Sequence, residues 1–567
     1  MKKIVVAALF VLLFPMIFSS GGDGADIIPA RPVNLSMTAK KVAVYYFNNS
    51  APGTTRFGNV GVTVDLPAGA SVDVDGTGAI AADVLQSQPA GATVNASYSP
   101  EFGATPGRLV LNVASSSGFG PGTFLTAKIR LPLATNVTSA DFPVYGYSAR
   151  DTAGSDLGSA SSFVPAFGYP ESTVSKPGLR IRTSEATSGT TLIRLTDSVA
   201  DGGTKYVPEY SKVDPYNADE SVFMLYGPGS YFYIFNAATR LPIKRLLSIG
   251  GIDGEPRWHK TNPNAFYYHT KTSPCQWRQY DITTDAITTL YAFPEYVGLS
   301  GTAEGNLSND GRYMALRGTL PNGQYEFFLL DIQTGAKVGT RIDVGVDWVT
   351  VSPSGNFILM NYGTPGTASD RGVWLHDRNF NRIRQVCTET DHADVGYDKD
   401  GTEVYVTTGL SANKPYITKY RINPDGTVAS LKVLETRMSD GVTSNWQSLH
   451  ISMRATGRPG WALVSYMATG DPGGNPPRPT YKSYWPDTKY DLYENDVIWL
   501  KLDGSQQVER LAQSRSHVTS PTRLTGDYWA EPHATVNRSG TKVIFSSNWG
   551  ELPDSGNSIV ESYLIER

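Results

Sequence analysis

The stretch 528-YWAEPHATVNRSGTKVIFSSNWG-550 holds one unit of a pattern that recurs along the chain. Arg538-Ser539-Gly540 reads as a tight turn, and Lys542-Val543-Ile544-Phe545 has the β-branched and apolar content of a strand. The same order of polar entry, short strand, turn and second strand recurs around six further turns. These are Asn217-Ala218-Asp219, Asn262-Pro263-Asn264, Asn309-Asp310-Gly311, Pro353-Ser354-Gly355, Lys399-Asp400-Gly401 and Gly457-Arg458-Pro459-Gly460. Asp310, Ser354 and Asp400 stand 44 and 46 residues apart, the length of a four-stranded propeller blade. Seven turns predict seven blades. The last unit ends at Arg567 after its third strand, and Thr190-Thr191-Leu192-Ile193-Arg194-Leu195-Thr196 precedes the first turn with no unit of its own. That segment is expected to supply the missing strand and close the ring, leaving no open sheet edge.

The rest of the chain fits an all-β protein. It has 567 residues, 56 Gly, 36 Pro and 31 Tyr, with only 18% charged residues, a turn-rich and aromatic composition. A net charge of −4 without a basic block argues against nucleic acid as a partner. Lys2 and Lys3 followed by the apolar run Ile4–Phe18 and the small residues Ser19-Ser20-Gly21 read as a secretory signal over residues 1–22. The protein is therefore expected to be exported, periplasmic or extracellular, with no membrane span after cleavage. Cys275 and Cys387 either pair in an oxidising compartment or stand as two isolated buried thiols.

Residues 35–168 alternate with a period of two in Lys41–Phe47, Val60–Leu66, Arg108–Val113 and Phe124–Leu131, with Gly, Pro and Asn turns between. This predicts an antiparallel sandwich. FGNVGVTVDLPAGASV (Phe57–Val72) and GTFLTAKIRLP (Gly122–Pro132) resemble the early and late core strands of bacterial cohesin-type domains. The resemblance implies a docking role toward a dockerin-like or other envelope protein. Asp73-Val74-Asp75-Gly76 reads as a hairpin turn, because no acidic residue closes a calcium loop twelve positions on. Residues 169–189, rich in Gly, Ser, Thr and Pro, read as a linker to a propeller over 190–567. The expected fold class is thus all-β: a cohesin-like jelly-roll sandwich followed by a seven-bladed β-propeller.

The first strand of each blade lines the central channel, so blade entries converge on one face. The entries carry Glu255, Arg257, Trp258 and His259, then Glu304, then Asp347 and Trp348, then His392 and Asp394. Blade six adds Trp446, Gln447 and His450, and blade seven adds Trp529, Glu531 and His533. Four of the seven histidines fall here, which favours a ligand over chance interblade bonding. Trp529, Glu531 and His533 alternate, so a strand beginning there would aim all three at the channel. His392, Gln447, His450 and His533 are neutral N/O donors suited to one divalent transition metal, manganese or zinc. Trp258, Trp348, Trp446, Trp529 and Trp549 read as faces for sugar rings. The blade-six insertion Tyr466–Asn495 reads as a semi-rigid lid or binding loop on the same face. No G-x-S-x-G, H-E-x-x-H or P-loop pattern is present.

His392 followed by Gln447-Ser448-Leu449-His450-Ile451-Ser452 resembles the metal motif of the oligogalacturonate lyase family and its relatives with TolB-type blades. That family reads Gln-x-x-His-x-His at the second entry; Ser452 stands at its last position here, and His533 is a substitute from the next blade. The family's catalytic histidine has no counterpart at the Asp347-Trp348 entry. The resemblance implies a metal-dependent lyase acting on uronate-containing glycans by β-elimination. His259 is then the candidate base, and Arg257, Trp258, Glu304, Trp348, Trp446, Trp529, Glu531 and Trp549 are substrate contacts. The other reading is an exported cell-envelope or extracellular protein that binds a polysaccharide, an oligosaccharide or a protein partner without chemistry.

Overall fold

The computed structural model describes residues 40–567 apart from 52–54, 83, 88, 90, 133–140, 169–174, 186–187, 250, 303, 364–369, 390–391, 409–415, 436–448, 468–492, 494, 506, 517, 519–526 and 552–557. The signal segment, Trp446, Gln447 and most of the blade-six insertion lie outside the described residues. Among the described residues no helix is long and apolar enough to cross a membrane.

Residues 40–168 form two four-stranded antiparallel sheets. In one, Lys40–Ser50 lies between Gly122–Pro132 and Ser162–Gly168, with Leu85–Ser87 at the edge. In the other, Phe57–Asp65 lies between Arg108–Phe119 and Val144–Asp151, with Thr93–Ser99 at the edge. The two-residue alternation seen in the sequence sends Ala43, Tyr45 and Phe47 from one sheet and Val60, Val62, Val64, Leu109, Leu111 and Val113 from the other into one core. Asp75 caps a turn, its Oδ1 accepting from the amides of Thr77 and Ala79 at 2.8 and 3.1 Å.

Seven further sheets follow in chain order, as a propeller requires. Blades two to six each have four strands in the order of the sequence. In blade seven, Thr535–Val536, Lys542–Ser547 and Glu561–Glu566 are joined by Thr191–Arg194, which pairs in register from Thr191↔Glu566 to Arg194↔Tyr563. The ring closes where the sequence places the closure. A fifth strand, Arg182–Ser184, pairs outside Thr191–Arg194 and lies within the span read as linker. Its short Arg-Thr-Ser run, set among Ser, Thr and Gly, has no hydrophobic alternation to betray it. Glu566 then accepts from Arg182 at 2.6 Å and Arg240 at 2.9 Å, tying the outer strand and blade one to the seam.

Two blades break the regular inner strand. In blade one the inner segment bridges its neighbour at Val207↔Tyr226 and Tyr216↔Phe223, with Pro215 still accepting from the Met224 amide at 2.9 Å, so residues 208–214 leave the sheet. Pro208 and Pro215 bracket the excursion and have no amide to give to the ladder. In blade three the pairing stops at Ser300↔Arg317 and resumes at Leu307↔Met314, which frees the segment carrying Glu304. Blade seven begins with a helical turn at Tyr528–Ala530 capped by the Asp527 side chain, and its strand starts only at Thr535. The expected alternation of Trp529, Glu531 and His533 on one strand face is therefore corrected. Cys275 and Cys387 are buried and unpaired, in different interblade cores.

Ile193 and Leu192 of the closing strand are fully buried. Ile193→Ala is expected to destabilise the propeller by about 2–5 kcal/mol through lost burial and a residual cavity. Urea unfolding followed by tryptophan fluorescence checks this; an unchanged midpoint would mean that the seam does not hold the ring.

Candidate metal centre at the channel mouth

Three consecutive inner strands bring three imidazoles together. His392 stands immediately before Ala393–Tyr397, His450 lies within Leu449–Ser452, and His533 stands just before Thr535–Val536. Ring centroids of His392 and His450 are 4.1 Å apart, and those of His450 and His533 are 4.2 Å apart. His450 and His533 are fully buried. Burial holds both imidazoles well below the ordinary histidine pKa, helped at His450 by His392 and Lys212 and at His533 by His450 against the pull of Glu531, so both are neutral at pH 7. Nδ1 of His392 donates to the Leu449 carbonyl at 2.8 Å, which orients the ring.

Glu531 completes the group. Its Oε2 lies 2.9 Å from His450 Nε2 and 3.4 Å from His533 Nε2. Burial raises this carboxyl, against the pull of His533 and His392. One donor atom from each of His450, Glu531 and His533 falls within 4.8 Å of the other two. A first-row cation about 2.1 Å from each ligand needs separations of roughly 4.2 Å or less, so the widest pair must close by about 0.6 Å or more on binding. Nδ1 of His450 and Nε2 of His533 are buried without a hydrogen-bond partner among the described residues. The unpartnered Nε2 of His533, 3.4 Å from the Glu531 carboxylate, is costly as packing and well suited to a cation. His533 is held at φ +41°, a strained backbone for a non-glycine residue, and Ser546 fixes the approach by donating to the Glu531 and Pro532 carbonyls at 2.7 and 3.1 Å.

The excursion from blade one crosses the channel onto these rings. The Tyr210 ring lies 5.3 Å from His450, 5.2 Å from His533 and 6.5 Å from His392, centroid to centroid. Tyr528 packs on His533 at 4.9 Å. Burial drives the Tyr210 and Tyr528 hydroxyls upward, with Glu304 and Glu531 adding to it, so both remain protonated donors. Lys212 pairs with Glu304 of blade three and sits over the Trp348 ring at 4.3 Å. Asp347 lies at the same mouth; burial and then Glu304 raise its carboxyl, opposed by Lys212 and His392.

A second tier of ion pairs fills the channel below. Arg454 donates to both oxygens of Asp394 at 3.0 and 2.9 Å, Arg257 donates to Glu209 at 2.6 Å, and Lys260 pairs with Asp214. Burial raises Glu209 to about 7, opposed by Arg257 and reinforced by Glu255.

These positions revise several expectations. His259 follows the inner strand of blade two at the end away from the mouth. Its Nδ1 accepts from the amides of Thr261 and Asn262 at 3.2 and 3.0 Å, capping the turn, so it does not face the chamber as a base. Arg257 is buried in the lower tier and also donates to the Gly305 carbonyl at 2.7 Å. Trp258 and Trp348 are 4% and 3% exposed in interblade cores, Trp258 donating to the Pro215 carbonyl, and neither offers a face to a sugar. Trp529 turns to blade one, with Lys205 Nζ 3.5 Å above its ring, and Trp549 stacks on Tyr563 at 4.9 Å. Glu304 is the partner of Lys212, and Glu531 joins the metal donors. Glu209, Tyr210, Lys212 and Tyr528 escaped the sequence reading; the polar run between Pro208 and Pro215, where a strand should stand, was the available signal.

No family model and no curated protein matches the chain. The cohesin-type resemblance of residues 35–168 is therefore unsupported, and what stands there is an eight-stranded sandwich. Among solved structures the chain is similar to an oligogalacturonate lyase in complex with manganese, at 15% identity and a TM-score of 0.46, covering 69% of this chain and 96% of that one. It is similar also to an oligogalacturonate lyase from Vibrio parahaemolyticus, at 14% identity and 0.47, covering 68% and 96%. These values carry no argument about the site, which stands on its own geometry.

Asp394→Ala leaves Arg454 charged and buried without its carboxylate. The expected loss is about 3–5 kcal/mol of stability, read as a lowered denaturation midpoint. A loss below about 1 kcal/mol would mean that the lower tier is not a structural plug.

Proposed function

We propose that the channel mouth holds a divalent transition metal and that the protein is a metal-dependent lyase for uronate-containing glycans. The observation that supports this best is the convergence of two buried imidazoles, His450 and His533, with the half-buried His392 and Glu531 from three adjacent blades. His450, Glu531 and His533 would hold the ion, with the His392 ring beside them. When bound, it supplies a Lewis acid that neutralises the uronate carboxylate and acidifies the adjacent C–H. Manganese and zinc both suit a mixed imidazole and carboxylate set with open positions. The burial of Trp258 and Trp348 weakens the alternative of a sugar-stacking platform without chemistry.

The remaining work falls to residues at the mouth. Asp347, with its carboxyl raised by burial and Glu304, is the stronger base for it and takes the proton from carbon. Tyr210 and Tyr528 stay protonated and offer hydroxyls to the departing glycosidic oxygen. The lower ion pairs close the channel beneath, so substrate enters and leaves by one mouth. The secretory-signal pattern of residues 1–22 is compatible with a polymeric substrate met outside the cytoplasm.

Purified protein is expected to contain about one equivalent of transition metal by elemental mass spectrometry. His392→Ala/His450→Ala should lose it, and metal-loaded wild type should release unsaturated, ultraviolet-absorbing products from a uronate polymer. Metal-free protein in every preparation would contradict the reading. Asp347→Asn should keep the metal and lose roughly 10²–10⁴ in kcat; an Asp347→Asn variant with full activity would remove that residue from the reaction.

A further inference from the structure

The two irregular blades meet. The blade-one excursion delivers Lys212, the interrupted strand of blade three delivers Glu304, and the two side chains form an ion pair at the mouth. Neither segment is loosely held. The Lys212 carbonyl accepts from Asn306 Nδ2 at 2.8 Å, the Val213 carbonyl from Thr535 Oγ1 at 2.7 Å, and the Pro215 carbonyl from Trp258 Nε1 at 3.1 Å. Arg257 holds Glu209 from the other side. Blades two, three and seven thus fix the backbone on which Lys212 stands.

Lys212 is 3% exposed. An ammonium removed from water to that degree is expensive, and an apolar side chain would fill the space at lower cost. It carries three donors. Glu304 accepts from it, the Trp348 and Tyr210 rings face its Nζ at 4.3 and 5.7 Å, and Asp347 lies within its electrostatic reach. The same Tyr210 ring contacts His450 and His533, so the ammonium lies one side chain away from the metal donors. A positive group at that distance from a divalent cation is repelled by it in a poorly screened chamber unless an anion lies between them.

We propose that Lys212 is a specificity-determining residue that reads the negative charge of the ligand. A sugar carboxylate bound at the metal accepts a hydrogen bond from its ammonium, and Glu304 is the resting counter-ion that keeps the ammonium buried and oriented in the empty site. The inference rests on the metal reading given above and adds the second point of contact for the uronate group. Glu304 thereby acts on the substrate through Lys212 as a positioning residue.

The roles give opposite signs to two substitutions. With the metal content of each variant measured first, tri-D-galacturonate and its fully methyl-esterified form are titrated into manganese-loaded full-length protein by calorimetry. Lys212→Met is expected to keep the metal, to weaken the acid at least about tenfold, the worth of a charge-assisted hydrogen bond, and to leave the ester unchanged. Glu304→Gln frees the ammonium and is expected to tighten the acid severalfold. The double variant Lys212→Met/Glu304→Gln should recover thermal stability, because no charge is left unpaired, while binding the acid as weakly as Lys212→Met. A purely structural pair would show no such split. Acid binding in Lys212→Met equal to wild type, or equal losses for acid and ester, overturns the inference. Metal-loaded wild type that binds neither compound overturns it as well and leaves the metal centre standing. Wild type without metal overturns both, and the metal measurement distinguishes that case.

Discussion

The antiparallel pairing of Thr191–Arg194 with Glu561–Glu566 joins the start of the propeller to its end, and the geometry of the channel depends on it. Once the seam is closed, seven inner strands stand around one axis, and residues far apart in sequence become neighbours. His392, His450 and His533 are brought within stacking distance of one another by this constraint, and the bond from His392 to the Leu449 carbonyl ties two of their segments directly. The seam is reinforced where failure would be costly. Buried Glu561 accepts from Thr196 and Ser198 hydroxyls at 2.6 and 2.7 Å, and Glu566 gathers Arg182 and Arg240. Open edges, the usual liability of a sheet, are thereby confined to the outer strands.

Closure alone would give a channel lined by regular strands. The candidate site arises where blades one, three and seven depart from that regularity. Positive φ values at Glu255, Thr302 and His533 cluster at the mouth, each costing about 1–3 kcal/mol in isolation. Unpaired ring nitrogens, a buried ammonium and raised carboxyls add to the cost. The lower tier of ion pairs and the interblade aromatic cores, such as Trp258 with Phe266 and Trp348 with Tyr405, supply the rigidity that holds these groups in place. A site of this kind is preorganised at the expense of the fold around it.

The repeat was legible because blade turns require Gly, Asn or Asp at fixed steps, and the seam because Thr190–Thr196 was a strand without a blade. The histidines were legible as residues that clustered at entries. The bulge of residues 208–214 was not, because propensity and pattern describe regular ladders, and Pro208 and Pro215 read equally well as loop punctuation. Glu531 looked like a substrate contact because its partner is set by the helical turn at Tyr528–Ala530, which the apparent alternation concealed. Trp258 and Trp348 misled for a related reason. Both stand at entries, but an inner strand has two faces, and theirs turn into the cores between blades. His259 shows the same limit along the strand axis: the sequence placed it on blade two without showing that it lies at the turn end.

The central claim is that His450, Glu531 and His533 form a metal centre. Anomalous diffraction from crystals of manganese-loaded protein, collected above the manganese absorption edge, tests it most directly. One strong peak is expected among the His450, His533 and Glu531 side chains, adjacent to His392 and Tyr210. A mouth with no peak, its imidazoles bonded only to one another and to Glu531, would contradict the account and leave the three histidines as interblade packing.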